Sequence, residues 1–131
     1  MGKIRNNRNF RIIGQGKIIL CSPFKILKLF MSKQFSIRGE FIAILRKAVD
    51  EDFTGRLEFI EPNGNGIVRV SMINGNIYQI DSSWGFGRVE INRIIDWKEG
   101  ECRIKKLSDK EIEELKEKNI IMTPAEVLLL K

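Results

Sequence analysis

The sequence predicts an α+β fold, in which a mostly antiparallel sheet of four to five strands packs with three to four helices. Asn74-Gly75 separates two apolar, β-branched runs at 67–73 and 77–80. This dipeptide suits the positive φ values of a two-residue hairpin turn. Before these strands, apolar residues at helical spacing over 40–49 predict an amphipathic helix that begins after Gly39.

The elements around the hairpin have local signals of their own. A strand is expected over 56–61, because turn-forming residues follow it at 62–66. A helix is expected over 88–97, with a glycine cap at Gly100, and a last strand over 101–105. The residues expected to be buried by that helix are Val89, Ile91, Ile94 and Ile95.

The strand at 67–73 is apolar on both faces, so both faces of the sheet are expected to need cover, from helices or from a partner. Two further helices are predicted by their caps. Ser108 and Glu111 form a capping box, and Thr123-Pro124 begins a helix that continues into the apolar run 127–130. Such an apolar terminal helix is expected to dock on the body or on another protein.

The chain of 131 residues is long enough for one domain, 43% hydrophobic and 31% charged, which is typical of a globular protein. Its organisation is predicted as a basic N-terminal segment at 1–33, a tail or extra strands, followed by an α+β domain at 34–131. The net charge of +6 belongs to the segment. Residues 1–30 contain no acid and seven basic residues, which are Lys3, Arg5, Arg8, Arg11, Lys17, Lys25 and Lys28.

This charge leaves two interpretations of the N-terminal segment. An acid-free basic segment can contact nucleic acid or an anionic membrane surface. Alternatively, Met31 is the true start and residues 1–30 are an upstream extension or a poorly ordered tail.

Location and origin are predicted from composition. The chain has no run of 18 uncharged apolar residues and a poor secretion signal, so we expect no transmembrane segment. Cys21 and Cys102 are distant in sequence and are interpreted as reduced thiols of a cytoplasmic protein.

Isoleucine occurs 21 times and alanine three times. With frequent Lys and Glu, this usage suits a thermophile, although an AT-biased genome produces similar usage.

One residue type on which much enzyme chemistry depends is missing from the sequence. It contains no histidine, which removes the usual general base and the usual imidazole ligand of zinc. The glycine pairs at 64–66 and 85–87 lack the further residues of a nucleotide-binding loop. We therefore predict a non-enzymatic protein with no cofactor and no metal site. An enzyme would need a cleft in which several polar groups converge; the residues to inspect are Asp81, Arg88, Glu90 and Arg93.

The order and spacing of the motifs resemble those of the PATAN domain, a small α+β module of prokaryotic signalling proteins. The resemblance covers roughly residues 35–130. The residues that carry it are Phe53-Thr54-Gly55-Arg56-Leu57, Ile73-Asn74-Gly75-Asn76-Ile77, the helix ending at Trp97, and Gly100 before a strand. The chain departs from the family pattern at Asp81 and at Val89-Glu90-Ile91, and a divergent archaeal relative fits both departures.

The resemblance implies a protein–protein interaction module of prokaryotic signalling, with a response regulator or a small GTPase as partner. A homo-oligomer is the other expectation. Trp84, Phe86 and Arg88 are the candidate contact residues, because aromatic and Arg side chains dominate interface hot spots. The two aromatics have a second interpretation, as residues packed under the following helix. The alternative function is a nucleic-acid or membrane-surface binder that acts through residues 1–30.

Overall fold

The computed structural model describes residues 11–13 and 34–130, and it confirms the predicted α+β class with an antiparallel sheet. The strand order is β1-β2-β6-β3-β4-β5, and all neighbours are antiparallel. The strands are β1 (Arg11–Ile13), β2 (Gln34–Glu40), β3 (Gly55–Ile60), β4 (Ile67–Ile73), β5 (Asn76–Ser82) and β6 (Glu99–Lys105). The helices of the described residues are α1 (Phe41–Asp50), a 3₁₀ turn (Arg88–Glu90), α2 (Ile91–Trp97), α3 (Asp109–Lys116) and α4 (Pro124–Leu128). Within the described part of the chain, none of these helices has the length and apolar character needed to cross a membrane.

Strand β2 was not predicted, and it changes the role of two glycines. Gly39 and Gly100, expected to mark helix ends, lie opposite each other in the β2–β6 pair. Helix α2 ends instead at Lys98, which takes a positive φ of 68°. The backbone N–H of Phe41 donates to the Lys98 carbonyl at 2.6 Å. The chain reversal after α2 is therefore tied directly to the start of α1.

Strands β4 and β5 are adjacent in sequence and in the sheet. Ile73 lies opposite Asn76, and the two residues between them, Asn74 and Gly75, have φ values of 51° and 83°. The Asn74 N–H also donates to the Thr54 hydroxyl at 2.9 Å, which links this connection to the start of β3. The register of this pair shifts between Ser71 and Met72; Ile77 packs in the main apolar cluster and Tyr78 packs against a smaller one.

One face of the sheet carries the main hydrophobic core, against which α1, α2 and α4 pack. At its centre, the rings of Phe41 and Phe59 lie 4.9 Å apart. Cys102 is fully buried in this core, and burial raises the pKa of its thiol well above the usual range. The largest fully buried side chains include Ile37, Ile44, Leu45, Leu57, Met72, Ile80, Ile94 and Ile104.

The other face of the sheet is mostly charged, and among the described residues the cover expected on both faces is present here only around Ile73, where α3 packs. Glu58 lies on this face and is only 6% exposed. Its carboxylate lies 3.4 Å from Lys105 Nζ and 3.8 Å from Arg69 Nε, and Arg69 also reaches Asp81 at 3.6 Å. These side chains come from neighbouring strands, so opposite charges alternate across the sheet and offset the desolvation of Glu58.

Helix α3 covers one end of this charged face. Leu115 packs with Ile73 and Leu107 in a second, smaller apolar cluster. The predicted capping box is present: the Glu111 N–H donates to the Ser108 hydroxyl at 3.1 Å, and the Ser108 N–H donates to the Glu111 carboxylate at 2.9 Å. The hydrogen bond from the Ser108 N–H lowers the pKa of Glu111.

Helix α4 is shorter than predicted, and only one side of it docks on the body. Val127 is fully buried in the main core, whereas Leu128 and Leu129 are 53% and 77% exposed. Arg46 of α1 donates to the Leu130 carbonyl, which ties the end of α4 to α1. The apolar run at 127–130 is therefore divided between the core and the surface.

Candidate functional site

The loop that follows β5 is organised around the hydroxyl group of Ser82. This oxygen accepts hydrogen bonds from the N–H groups of Trp84 at 3.0 Å and Gly85 at 3.1 Å, and it donates to the Glu90 carboxylate at 2.6 Å. The Ser82 N–H donates to the Gly85 carbonyl at 2.7 Å. The short Ser82 side chain thus bonds to the beginning and to the end of the loop and holds the loop in a single conformation.

Glu90 is the second anchor of this loop. It is 7% exposed and accepts hydrogen bonds from Ser82 and from Arg93, whose Nε lies 2.7 Å from its Oε1. The hydrogen bond from Ser82, followed by that from Arg93, lowers the pKa of Glu90. A carboxylate that is ionised, buried and doubly bonded in this way fixes the loop to α2.

Trp84 lies half-exposed on top of this framework, and its ring is held by three neighbours. The Arg93 guanidinium carbon lies 4.4 Å from the ring centroid, a cation–π distance. The Trp97 ring meets it edge-on with centroids 6.0 Å apart. A Cβ atom at Gly66 would lie 2.1 Å from the ring, so only glycine allows this close approach. Trp84 therefore belongs to a packed cluster and also presents one side to solvent.

The Phe86 side chain is exposed to solvent, although the backbone around it is bonded to β5. Its residue surface is 83% exposed. It forms an antiparallel bridge with Asp81, and the next residue, Gly87, donates its N–H to the Ile80 carbonyl at 2.8 Å. Gly87 has a φ of 106°, a conformation that residues with a Cβ rarely adopt. The outer edge of β5 is thus occupied by the loop that displays Phe86.

Arg88 joins this loop to α4. Its guanidinium Nη1 lies 3.0 Å from the Glu126 carboxylate in an exposed ion pair. Hydrogen bonding from the Thr123 N–H, and then the contact with Arg88, lower the pKa of Glu126. Since Leu129 follows Glu126 by three residues, it lies on the same side of α4.

Val89 is the clearest error of the sequence prediction in this region. It was expected to be buried, and it is 64% exposed. The chain forms a 3₁₀ turn over Arg88–Glu90 before α2 begins, and this turn buries Glu90 in place of Val89. The spacing of buried residues expected for an α-helix therefore begins only at Ile91.

These residues form one candidate site, which we call the Phe86 surface and define as Phe86, Arg88, Val89, Glu126 and Leu129. Its three apolar side chains are exposed by 83%, 64% and 77%, and the ion pair joins the two segments of the chain that carry them. Of the predicted contact residues, Phe86 and Arg88 belong to this surface, whereas Trp84 belongs to the packed cluster with Arg93 and Trp97. Val89, Glu126 and Leu129 were not predicted as contacts, although the apolar run at 127–130 was a usable signal.

The four polar residues considered for catalysis do not converge. Glu90 pairs with Arg93, Arg88 pairs with Glu126, and Asp81 pairs with Arg69 across the sheet. In the described residues, no three acidic or cysteine side chains are grouped as a metal site would require. A small cavity of about 100 Å³ lies between α1 and α2, lined by Glu40, Ile42, Arg46, Ile95 and Lys98.

Six of the seven basic residues predicted to bind nucleic acid or a membrane lie outside the described residues. The exception is Arg11, whose backbone begins β1 and lies opposite Arg38 of β2. At least part of the N-terminal segment is therefore an extra strand of the sheet.

The chain matches no protein-family model, no curated protein and no solved structure. The PATAN-like resemblance stays a prediction from the sequence, and the argument for a function depends on the geometry of the Phe86 surface.

Proposed function

We propose that the chain is a non-enzymatic protein–protein interaction module, and that it docks its partner on the Phe86 surface. The observation that carries this proposal is the 83% exposure of Phe86 on a loop whose backbone is tied to β5 on both sides. When a partner covers such an exposed aromatic ring, apolar surface is removed from water, and this favours binding.

The composition of the Phe86 surface supports a binding role. It combines an aromatic side chain and an Arg, residue types that are enriched in protein interfaces, with two exposed aliphatic side chains. Clusters of exposed apolar side chains mark interaction sites more often than scattered single ones do.

The rigidity of the loop supports the same proposal. Ordering a flexible loop on binding consumes part of the interaction free energy, and a loop that is already fixed avoids that cost. Here Ser82 and Glu90 hold the loop through hydrogen bonds of 2.6 to 3.1 Å. The resemblance to PATAN domains adds a context of cytoplasmic prokaryotic signalling, with a response regulator or a small GTPase as a partner class.

Photo-crosslinking tests the proposal directly. A photoreactive phenylalanine analogue is placed at Phe86 in the intact chain, in cells that express it at native level. The matched control carries the same analogue at Lys110, which is exposed on α3, outside the Phe86 surface. We expect a discrete crosslinked product from position 86 that is missing from position 110. Equal yields at both positions, or none at position 86, would contradict the proposal.

A second candidate function is supported by the charge distribution. All of the net positive charge lies in residues 1–30, which contain seven basic residues and no acid. Such a segment favours binding to nucleic acid or to an anionic membrane surface. We expect binding to single-stranded DNA, or to vesicles with anionic lipid, to weaken steeply with salt and to disappear in a chain that begins at Met31. Binding that survives this truncation would refute the candidate.

A further inference from the structure

We propose that the partner on the Phe86 surface is a second copy of this chain, bound about a two-fold axis that passes beside the Arg88–Glu126 ion pair. This inference rests on the proposed function and names its partner.

The charges of the Phe86 surface make it complementary to itself. It contains one cation, Arg88, and one anion, Glu126, 3.0 Å apart. A two-fold rotation brings the same surface against itself, so each charge can face its opposite on the other copy. The result is a ring of four alternating charges. A partner with a surface of a single sign would match only one member of the pair.

The surroundings of the ion pair also favour an identical partner. Phe86 and Val89 are close to Arg88 in the chain, Leu129 follows Glu126 by three residues, and all three are more than 60% exposed. When these side chains are covered, the ion pair loses water, and an isolated pair does not recover that loss. A second ion pair in the partner provides additional hydrogen-bond donors and acceptors to the first. The apolar burial and the four-charge ring therefore require the same two-fold arrangement.

No rearrangement of the chain is needed for this contact. The loop is held by Ser82 and Glu90, and α4 is held by the buried Val127 and by the bond from Arg46 to the Leu130 carbonyl. Interfaces whose backbone is fixed before binding associate as nearly rigid bodies.

Charge reversal in separate chains distinguishes contacts between copies from contacts within one copy. The full-length chain is expected at about twice its single-chain mass of 15.2 kDa in sedimentation equilibrium. Arg88→Glu and Glu126→Arg should each shift the mass to that of the single chain, because like charges then face each other in the ring. An equimolar mixture of the two variants should recover the doubled mass, since every contact between unlike chains again joins opposite charges. Within each variant chain, residues 88 and 126 still repel, so an ion pair confined to one copy cannot be rescued by mixing.

Two controls keep the result interpretable. Arg56→Glu disrupts a different, partly buried ion pair, with Glu111 at 3.6 Å, and should leave the doubled mass unchanged. Phe86→Asp should produce the single-chain mass with an unchanged circular dichroism spectrum. Single-chain mass for the unmodified protein, or failure of the mixture to recover the doubled mass, would overturn this inference. If the unmodified chain is monomeric and the crosslink from position 86 joins a different polypeptide, the proposed function stands and only the second copy is refuted.

Discussion

The Ser82 hydroxyl donates to the buried carboxylate of Glu90 at 2.6 Å, although the two residues lie in different elements of the chain. Ser82 ends β5, and Glu90 ends the 3₁₀ turn before α2. The loop between them carries Trp84, Phe86 and Arg88, the three residues predicted to contact a protein partner. The geometry of the Phe86 surface consequently depends on one hydrogen-bonded pair below it.

Replacing Glu90 by Gln should destabilise the chain by about 1 to 3 kcal/mol, because an amide bonds less strongly to Arg93 and to Ser82 than a carboxylate does. The free energy of unfolding from urea titration measures this loss. Glu113→Gln is the matched control, since Glu113 is exposed on α3 and should change stability by less than about 0.5 kcal/mol. Equal values for the two variants would show that the Ser82–Glu90–Arg93 contacts contribute nothing to stability.

The stability of the chain should fall in acid, and Glu90 should account for part of the fall. Its pKa is lower in the folded chain than in the unfolded chain, so the unfolded chain binds a proton first as the pH drops. The contribution is therefore complete above the ordinary glutamate pKa of about 4.3 and is lost as the pH falls toward the lowered value. Urea midpoints measured from about pH 6 to about pH 3 should decline less steeply for Glu90→Gln. A parallel decline in both proteins would contradict the assignment.

Gly66→Ala should move the Trp84 ring, because the new methyl group would lie 2.1 Å from a ring carbon in the present arrangement. We expect a red shift of the Trp84 emission, taken as the difference from a Trp84→Phe variant, and a loss of about 1 to 2 kcal/mol from overpacking. Gly64→Ala is the control: no atom lies within 4 Å of its Cβ position, and its φ of 78° causes backbone strain alone. An emission shift in the Gly64 variant as large as in the Gly66 variant would argue against the ring contact.

Leu115→Ala should release α3 from the sheet while the main core stays folded. Leu115 is 3% exposed and packs only in the small cluster with Ile73 and Leu107. A loss of about 2 to 3 kcal/mol corresponds to hydrogen exchange about 30 to 150 times faster in α3. Amides of β3 and β6 should keep their protection, whereas Leu57→Ala in the main core should weaken protection throughout. Uniform acceleration by Leu115→Ala would mean that α3 unfolds only with the whole domain.

Local chemistry in the chain was sufficient to predict several elements. The bounds of β4 follow from its β-branched run and the Asn74-Gly75 dipeptide beyond it. Both capping boxes were visible because a Ser or Thr and a Glu three residues later satisfy each other's backbone N–H groups without help from the rest of the fold. Phe86 was chosen as a candidate contact because aromatic side chains dominate interface hot spots, and of its two interpretations the structure favours an exposed ring over one packed under the following helix.

Other features were decided by contacts between residues far apart in the chain. Strand β2 has a weak local pattern, and pairing with β6, more than 60 residues later, defines it. Val89, expected to be buried, is exposed, and Glu90 is buried in its place. Ser82 and Arg93 provide hydrogen bonds to the Glu90 carboxylate, and these make its burial favourable. The Phe86 surface itself arises only when α4 returns to place Glu126 beside Arg88. Hydrogen bonds within one turn depend on neighbours in sequence, whereas strand pairing, burial of charge and surface assembly depend on partners that only folding brings near.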